Sequence, residues 1–380
     1  MPSNILDTLR KFIFRTTRRV VGLVVLVILL VAGISAVKAL GAPSQSSVLF
    51  GMVAGFAFLM AGIFVHELGH AIAAIAVGWR VHLIVVLRIG YRPRRRKFQL
   101  VSRMVGGDFG GFVLVAPPLD GGWEKGRATI FAAGSLVNLL AALVCYTAIL
   151  WVDPGTTLGA LLGGFALTTL VLGISNLIPS WGQSGVRAND GATLYEIFTG
   201  KHMSLAMQVA TWLWGSSLDG IAVRDWNPDL LRRLEADEAA GEEDRAVRDH
   251  VLVSYYEGRR ETGRALSLLE NSEAEKSGKH PALTIEKAFL AALVRRDVDL
   301  AAQLLDTIPS RLHQSYFPYW RAQSLVYALQ GQTKLARSAA RRARRLAKTH
   351  GDELDDDDES LLCAVESGKA PPLLGYSQPA

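Results

Sequence analysis

His66 and His70 stand four residues apart, with Glu67 between them, in a stretch otherwise free of charge. No Asp, Glu, Lys or Arg occurs from Val48 to Val65, and Ala71 to Val77 is apolar again. Two imidazoles and a carboxylate at membrane depth are costly unless something binds them, so they read as a functional site. On an α-helix the two histidines project from one face, one turn apart, with Glu67 beside them. That arrangement suits one zinc ion, with a carboxylate placed to take a proton from water.

The elements that must hold this motif are membrane helices. The chain has 380 residues, half of them hydrophobic, and a positive mean hydropathy. Apolar residues crowd the part before residue 220, and charge dominates after it. A helix needs about 20 apolar residues to cross a bilayer. Four runs are long enough, near 20–39, 48–77, 128–152 and 158–178. The first has basic residues before it and small residues after it, as a signal peptide does, but its apolar core is long enough for a retained anchor.

Lys and Arg set the expected orientation. Arg10, Lys11, Arg15, Arg18 and Arg19 precede the first run, and Arg80, Arg88, Arg92, Arg94–Lys97 and Arg103 follow the second. The N-terminal segment 1–19, the loop at 79–127 and everything after the fourth run are therefore expected in the cytoplasm. Trp79, Trp123 and Trp181 would mark that boundary and Trp151 the outer one. The net charge of +6 needs no nucleic acid, because a basic loop beside an anionic leaflet accounts for it. Two cysteines, Cys145 and Cys363, one in a span and one in the cytoplasmic part, do not make a disulfide framework.

A catalytic zinc needs a third protein ligand and an open position. Two Asp-Gly sequences compete: Asp120-Gly121, in the loop before the third run, and Asp190-Gly191, after the fourth. Three elements occur in order: His66-Glu67-Leu68-Gly69-His70 in one span, Gly134-Ser135-Leu136-Val137-Asn138 in the next, and Asn176-Leu177-Ile178-Pro179 followed by Asp190-Gly191. With them the chain resembles the site-2-protease family of intramembrane zinc metalloproteases, over about its first 200 residues. The resemblance implies that His66, His70 and Asp190 bind the zinc and that Glu67 is the general base. Asn138 and Asn176 would shape the site or hold the substrate carbonyl. Ser135 stands where the family often has Pro, and ten residues, Ser180 to Asn189, separate Pro179 from Asp190 where the familiar link is short. This spelling suggests a variant branch. Asp120 follows directly on neither a span nor an Asn-x-x-Pro, and reads as a turn.

Between the second and third runs, Val81–Leu87 and Phe112–Val115 read as short strands of a small sheet or hairpin, either a surface on which an extended substrate adds a strand or a basic anchor to lipid. His82 there is not counted as a ligand. Leu205–Leu213, with Trp212 and Trp214, reads as an interfacial helix within a linker at 201–228. From 229 to 368 the pattern is helical. Gly263–Leu269, Asp299–Leu305 and Lys334–Ala340 recur at steps of 36 and 35 residues, a period that suits tetratricopeptide-like hairpins. Arg341–Arg345 and Asp355–Glu359 read as a solvated helix face with a neutralising acidic neighbour, and 369–380 as a disordered tail.

The expected molecule is an α-helical multi-pass protein of the inner membrane, its Ala- and Arg-rich composition that of a bacterium. It pairs an intramembrane zinc metalloendopeptidase domain at 20–200 with an all-α cytoplasmic domain that binds a partner protein. Its substrate is a membrane protein with a single span, cut in or near that span. The alternative is a catalytically silent membrane adaptor, and intact His66, Glu67, His70 and Asp190 speak against it. A metal transporter fits less well, since the polar residues gather at one depth.

Overall fold

The computed structural model describes residues 44–101, 110–118, 123–152, 156–180, 189–237, 241–313, 316–350, 354 and 356–368. The run at 20–39, Asp120, Trp181 and the tail from 369 lie outside these residues. The chain divides into two compact units, one containing 122–201 together with the residues up to 78, the other 79–121 and 202–380.

The first unit consists of α1 (Ser44–Ala76), α2 (Trp123–Ile149), α3 (Thr157–Leu177) and the short α4 (Asp190–Phe198). The stretches Gly51–Ala76, Gly126–Ile149 and Thr157–Leu177 are each long and apolar enough to cross a membrane. Polarity is inverted relative to a water-soluble protein. Phe56, Phe64, Ile72, Leu136, Leu140 and Leu143 point outward, while His66, Glu67, His70, Ser135, Asn138 and Thr169 are buried. Hydrocarbon selects that arrangement, because it solvates apolar side chains and leaves polar ones to find partners inside. Without a hydrophobic drive between them, such helices meet through small residues. A Cβ at Gly62 would lie 2.7 Å from Leu172, and one at Gly173 would lie 2.9 Å from Leu139. Gly69 of α1 faces Gly134 of α2, where a Cβ would come within 2.9 Å of the Ala133 carbonyl.

In the second unit, β1 (Arg80–Val86), β2 (Ile89–Arg92), β3 (Lys97–Leu100) and β4 (Gly111–Ala116) form an antiparallel sheet in the order β3-β2-β1-β4. The basic run read as loop thus forms a hairpin. Its arginines fill the turn between β2 and β3, with Arg96 in the left-handed region (φ 48°), and Ile89-Gly90-Tyr91 and Phe98-Gln99-Leu100 pair on either side. Short strands split by four consecutive cationic or proline positions leave no alternation long enough to see in the sequence.

The sheet packs on α5 (Leu205–Leu218). Ala206, Val209, Ala210 and Leu213 of α5 join the core of the second unit, so much of the face read as interfacial meets protein. Leu83, Val85 and Val101 pack with Leu218. Arg92 donates to the Leu218 carbonyl (3.3 Å). Buried His82 meets Asp219 (Nδ1 to Oδ2, 3.0 Å), as does Arg94 (3.1 Å). Burial lowers the His82 pKa against the pull of Asp219, so the ring is neutral near pH 7 and its Nδ1–H donates to the carboxylate. Trp79, expected at a lipid boundary, is also buried.

Beyond α5 come a 3₁₀ turn (Val223–Asp225), α6 (Pro228–Glu235), α7 (Glu242–Gly258), α8 (Thr262–Asn271), α9 (Glu273–Lys276), α10 (Pro281–Leu290, continued by a π turn), α11 (Val298–Asp306), α12 (Ser310–His313), α13 (Phe317–Leu329), α14 (Thr333–His350) and α15 (Asp356–Ser367). The three recurring segments fall on the second helices of the pairs α7/α8, α10/α11 and α13/α14. Each pair turns on a left-handed residue, Arg260, Arg296 or Gly331, at the same steps of 36 and 35 residues. Leu266, Leu269, Leu283, Ile285, Leu290 and Leu325 fill one continuous core. Acidic residues of α15 hold arginines from three other helical regions: Asp357 holds Arg260 (2.7 Å), Asp358 holds buried Arg321 (3.0 Å), and Glu359 holds Arg344.

Candidate metal centre

Three elements of the first unit converge on one point. The helix α1 supplies His66, Glu67 and His70, all less than one-tenth exposed. The two imidazoles meet edge to face, with centroids 4.7 Å apart. Asp190, at the start of α4, brings its Oδ2 to 2.9 Å from His66 Nε2 and 3.2 Å from His70 Nε2. The two Nε2 atoms are 3.1 Å apart. Ligand atoms of a tetrahedral zinc, each about 2.0–2.1 Å from the metal, lie about 3.3–3.4 Å from one another. An outward shift of a few tenths of an ångström would therefore make this cluster a three-ligand zinc site. Among the described residues it is the one group of three or more His, Cys, Asp or Glu whose donor atoms gather in this way.

A stripe of α2, at successive helical turns, sets the imidazoles. His70 Nδ1 lies 2.7 Å from the Ile130 carbonyl, so the ring donates there and presents an Nε2 lone pair to the cluster, as a metal-bound histidine requires. One turn on, Gly134 leaves room for both rings. A Cβ there would stand 2.6 Å from a ring carbon of His70 and 2.8 Å from one of His66. A further turn on, the Asn138 amide is 3.3 Å from His66 Nδ1 through Nδ2, while its buried Oδ1 has no hydrogen-bond partner. Amide oxygen and nitrogen have nearly the same shape. Exchanging them places Oδ1 as acceptor for His66 Nδ1–H and turns the His66 Nε2 lone pair to the cluster as well.

The remaining side is built by the end of α3 and the start of α4. Asn176 brings Nδ2 to 3.4 Å from His66 Nε2. Asn189, which the sequence reading passed over as a member of the long loop, fastens the two segments together. Its Nδ2 donates to the carbonyls of Ile178 (2.8 Å) and Asn176 (3.3 Å), and its Oδ1 accepts from the backbone N–H of Ser180 (2.9 Å) and Ala192 (3.0 Å). The second of these accepted bonds caps α4. The ten-residue separation from Pro179 is thereby closed at its base, and Asp190 follows directly. Gly191 allows the close approach, since a Cβ would fall 2.9 Å from the Asn176 carbonyl and nearer still to that of Leu177. Buried Glu67 has no ligand atom in the cluster but interacts electrostatically with both His70 and Asp190.

The crowding at Gly134 has a measurable consequence. Gly134→Ala should weaken zinc binding by at least the 10–100-fold typical of lost outer-shell support, read by metal analysis after dialysis against a competing chelator. Unchanged helicity by circular dichroism would show that the spans remain folded. Full zinc content would mean that the rings do not need the space.

Sequence cues for these supports exist but were not decisive. Gly134 belongs to the second motif with no contact assigned to it, Asn138 is expected to shape the site or hold the substrate carbonyl and instead meets His66, and nothing in the sequence marks Ile130, which acts through its backbone. No curated protein and no solved structure matches the chain. Residues 54–156 match the model of peptidase family M50, which takes in His66, Glu67, His70 and Asn138 and stops short of Asn176 and Asp190. In that part the chain is similar to a family of membrane-embedded metalloproteases.

Proposed function

We propose that the protein is an intramembrane zinc metalloprotease that hydrolyses a peptide bond in or near the membrane span of another membrane protein, a single-span one. The observation that carries this reading is the convergence of His66, His70 and Asp190 at one buried point beside Glu67. The zinc would be held by those three residues and would supply Lewis-acid polarisation of the scissile carbonyl and a lowered pKa for water. Glu67 takes the proton from the attacking water and returns it to the leaving amine. Ile130 and Asn138 keep the two Nε2 atoms turned inward. The Asn176 amide, next to His66 Nε2, donates to the oxygen on which charge develops. Asp190 retains more exposure than either histidine, 15% of its side chain, so its side is where water and substrate enter.

The helix pairs from α7 to α14 form a tetratricopeptide-like stack that recruits or gates the substrate, as such stacks bind extended partners. The N-terminal segment and this stack face the cytoplasm in a bacterial inner membrane.

The test compares membrane proteomes of host cells carrying the wild type or Glu67→Ala. A membrane protein that accumulates at full length only with the variant supports proteolysis and names the substrate. Matching proteomes under several stresses, with zinc-loaded protein present, would favour an adaptor.

A further inference from the structure

Arg127 is a buried cation that the chemistry of the metal centre does not use. It is the second residue of the span that begins at Gly126, and only 7% of it is exposed. Arginine is almost never buried so deeply unless it is paired. Its own helix gives no reason for a charge there, because the N-terminal end of a helix disfavours cations. The reason lies on α4, which ends in a closed turn. Gly200 is left-handed (φ 81°). Its N–H donates to the Ile197 carbonyl (3.1 Å), and the Lys201 N–H donates to the Glu196 carbonyl (2.8 Å). Those two bonds form the Schellman pattern, which ties the last helical turn to the two residues after it. Arg127 Nη1 donates to the carbonyl of Lys201 (3.3 Å), the residue that closes this turn. A cation at the C-terminal end of a helix also meets its dipole favourably. Arg127 therefore grips α4 as a unit, at the end opposite Asp190.

Spacing connects this grip to the metal centre. Arg127, Ile130, Gly134 and Asn138 follow one another at steps of three, four and four residues, so they share one face of α2. The last three set the two imidazoles, and Arg127 extends their stripe by one turn. About 10 Å of helix separate it from Gly134, and α4 from Asp190 to Phe198 is about 13 Å long. The helix α4 packs on α2, and these similar lengths put its two ends at the metal centre and at Arg127. Asn189 clips the Asp190 end to α3, and Arg127 holds the far end.

We infer that Arg127 is a positioning residue for Asp190: its bond to Lys201 keeps α4 against α2, and so keeps the Asp190 carboxylate on the two histidines. With one end free, a helix of nine residues would pivot about Asn189 and turn the carboxylate away. A metal site tolerates errors of only about 0.5 Å and 10–20° in its ligands. This role rests on the proposed binding of zinc by His66, His70 and Asp190.

The test compares the full-length wild type with Arg127→Met and Arg127→Lys in detergent. Amide hydrogen exchange of the metal-free proteins reads how firmly α4 is held, and competition with a chelator reads the zinc dissociation constant. Arg127→Met is expected to exchange several-fold faster at residues 192–201 but not in α1 or α3. Its zinc binding should be weaker by the 10–100-fold typical of lost outer-shell support. Arg127→Lys, which keeps a donor and the charge, should recover most of both. Unchanged exchange in α4 of the Met variant overturns the grip. A loosened α4 with wild-type zinc affinity overturns the positioning of Asp190. Faster exchange throughout the first unit overturns it too, since Arg127 would then serve the fold at large. Those three outcomes leave the metalloprotease reading standing. A wild type that takes up no zinc sinks that reading, and the positioning role falls with it.

Discussion

Asp190→Ala is expected to leave the purified protein without zinc, whereas Asp120→Ala keeps it. Asp190 places one carboxylate oxygen within 2.9 and 3.2 Å of the two Nε2 atoms that would share the metal. Two neutral imidazoles alone would make an incomplete site, and removing the carboxylate also removes the one negative charge among the three groups proposed to bind the metal. The loss should exceed the 10–100-fold that outer-shell changes cause. Metal content measured after chelator dialysis, with circular dichroism to certify the helices, reads it directly. Zinc lost from the Asp120 variant and retained by the Asp190 variant would overturn the ligand assignment.

Glu67→Gln should show the opposite separation, with zinc retained and hydrolysis lost. The amide keeps the shape of the carboxylate but cannot take a proton from water, and general acid–base catalysis of this kind contributes about 10²–10⁴-fold. The assay is the initial rate on the membrane protein that accumulates in Glu67→Ala membranes, with zinc content determined on the same preparation. A variant that cleaves at the wild-type rate would exclude Glu67 as the base. One that loses zinc as well would give Glu67 a structural role at the centre.

The parts of this molecule that were legible in the sequence are those set by short-range periodicity. His66, Glu67 and His70 fall on one stretch of helix because 3.6 residues make a turn. Three of the four expected spans follow from runs of apolar residues and correspond to described helices that begin and end within a few residues of them, while the run at 20–39 lies outside the described residues. The recurrence at 36 and 35 residues appears in the structure as three helix pairs, each with its left-handed turn residue.

What only the tertiary structure decided are the close approaches between distant segments. Asp190 reaches His66 across 124 positions, which no local pattern encodes. It does so because Asn189 clips α3 to α4 and because Gly191 lets two backbones touch. Gly134 matters for the volume it leaves to two imidazoles, and Ile130 for a carbonyl that every residue type possesses. The sheet between the first two described spans groups with the helices from 202 onward, since Leu83, Val85 and Val101 find Leu218, and His82 finds Asp219. Helical periodicity needs a few neighbours along the chain, but a metal centre and a shared core need surfaces that meet only after the chain has folded.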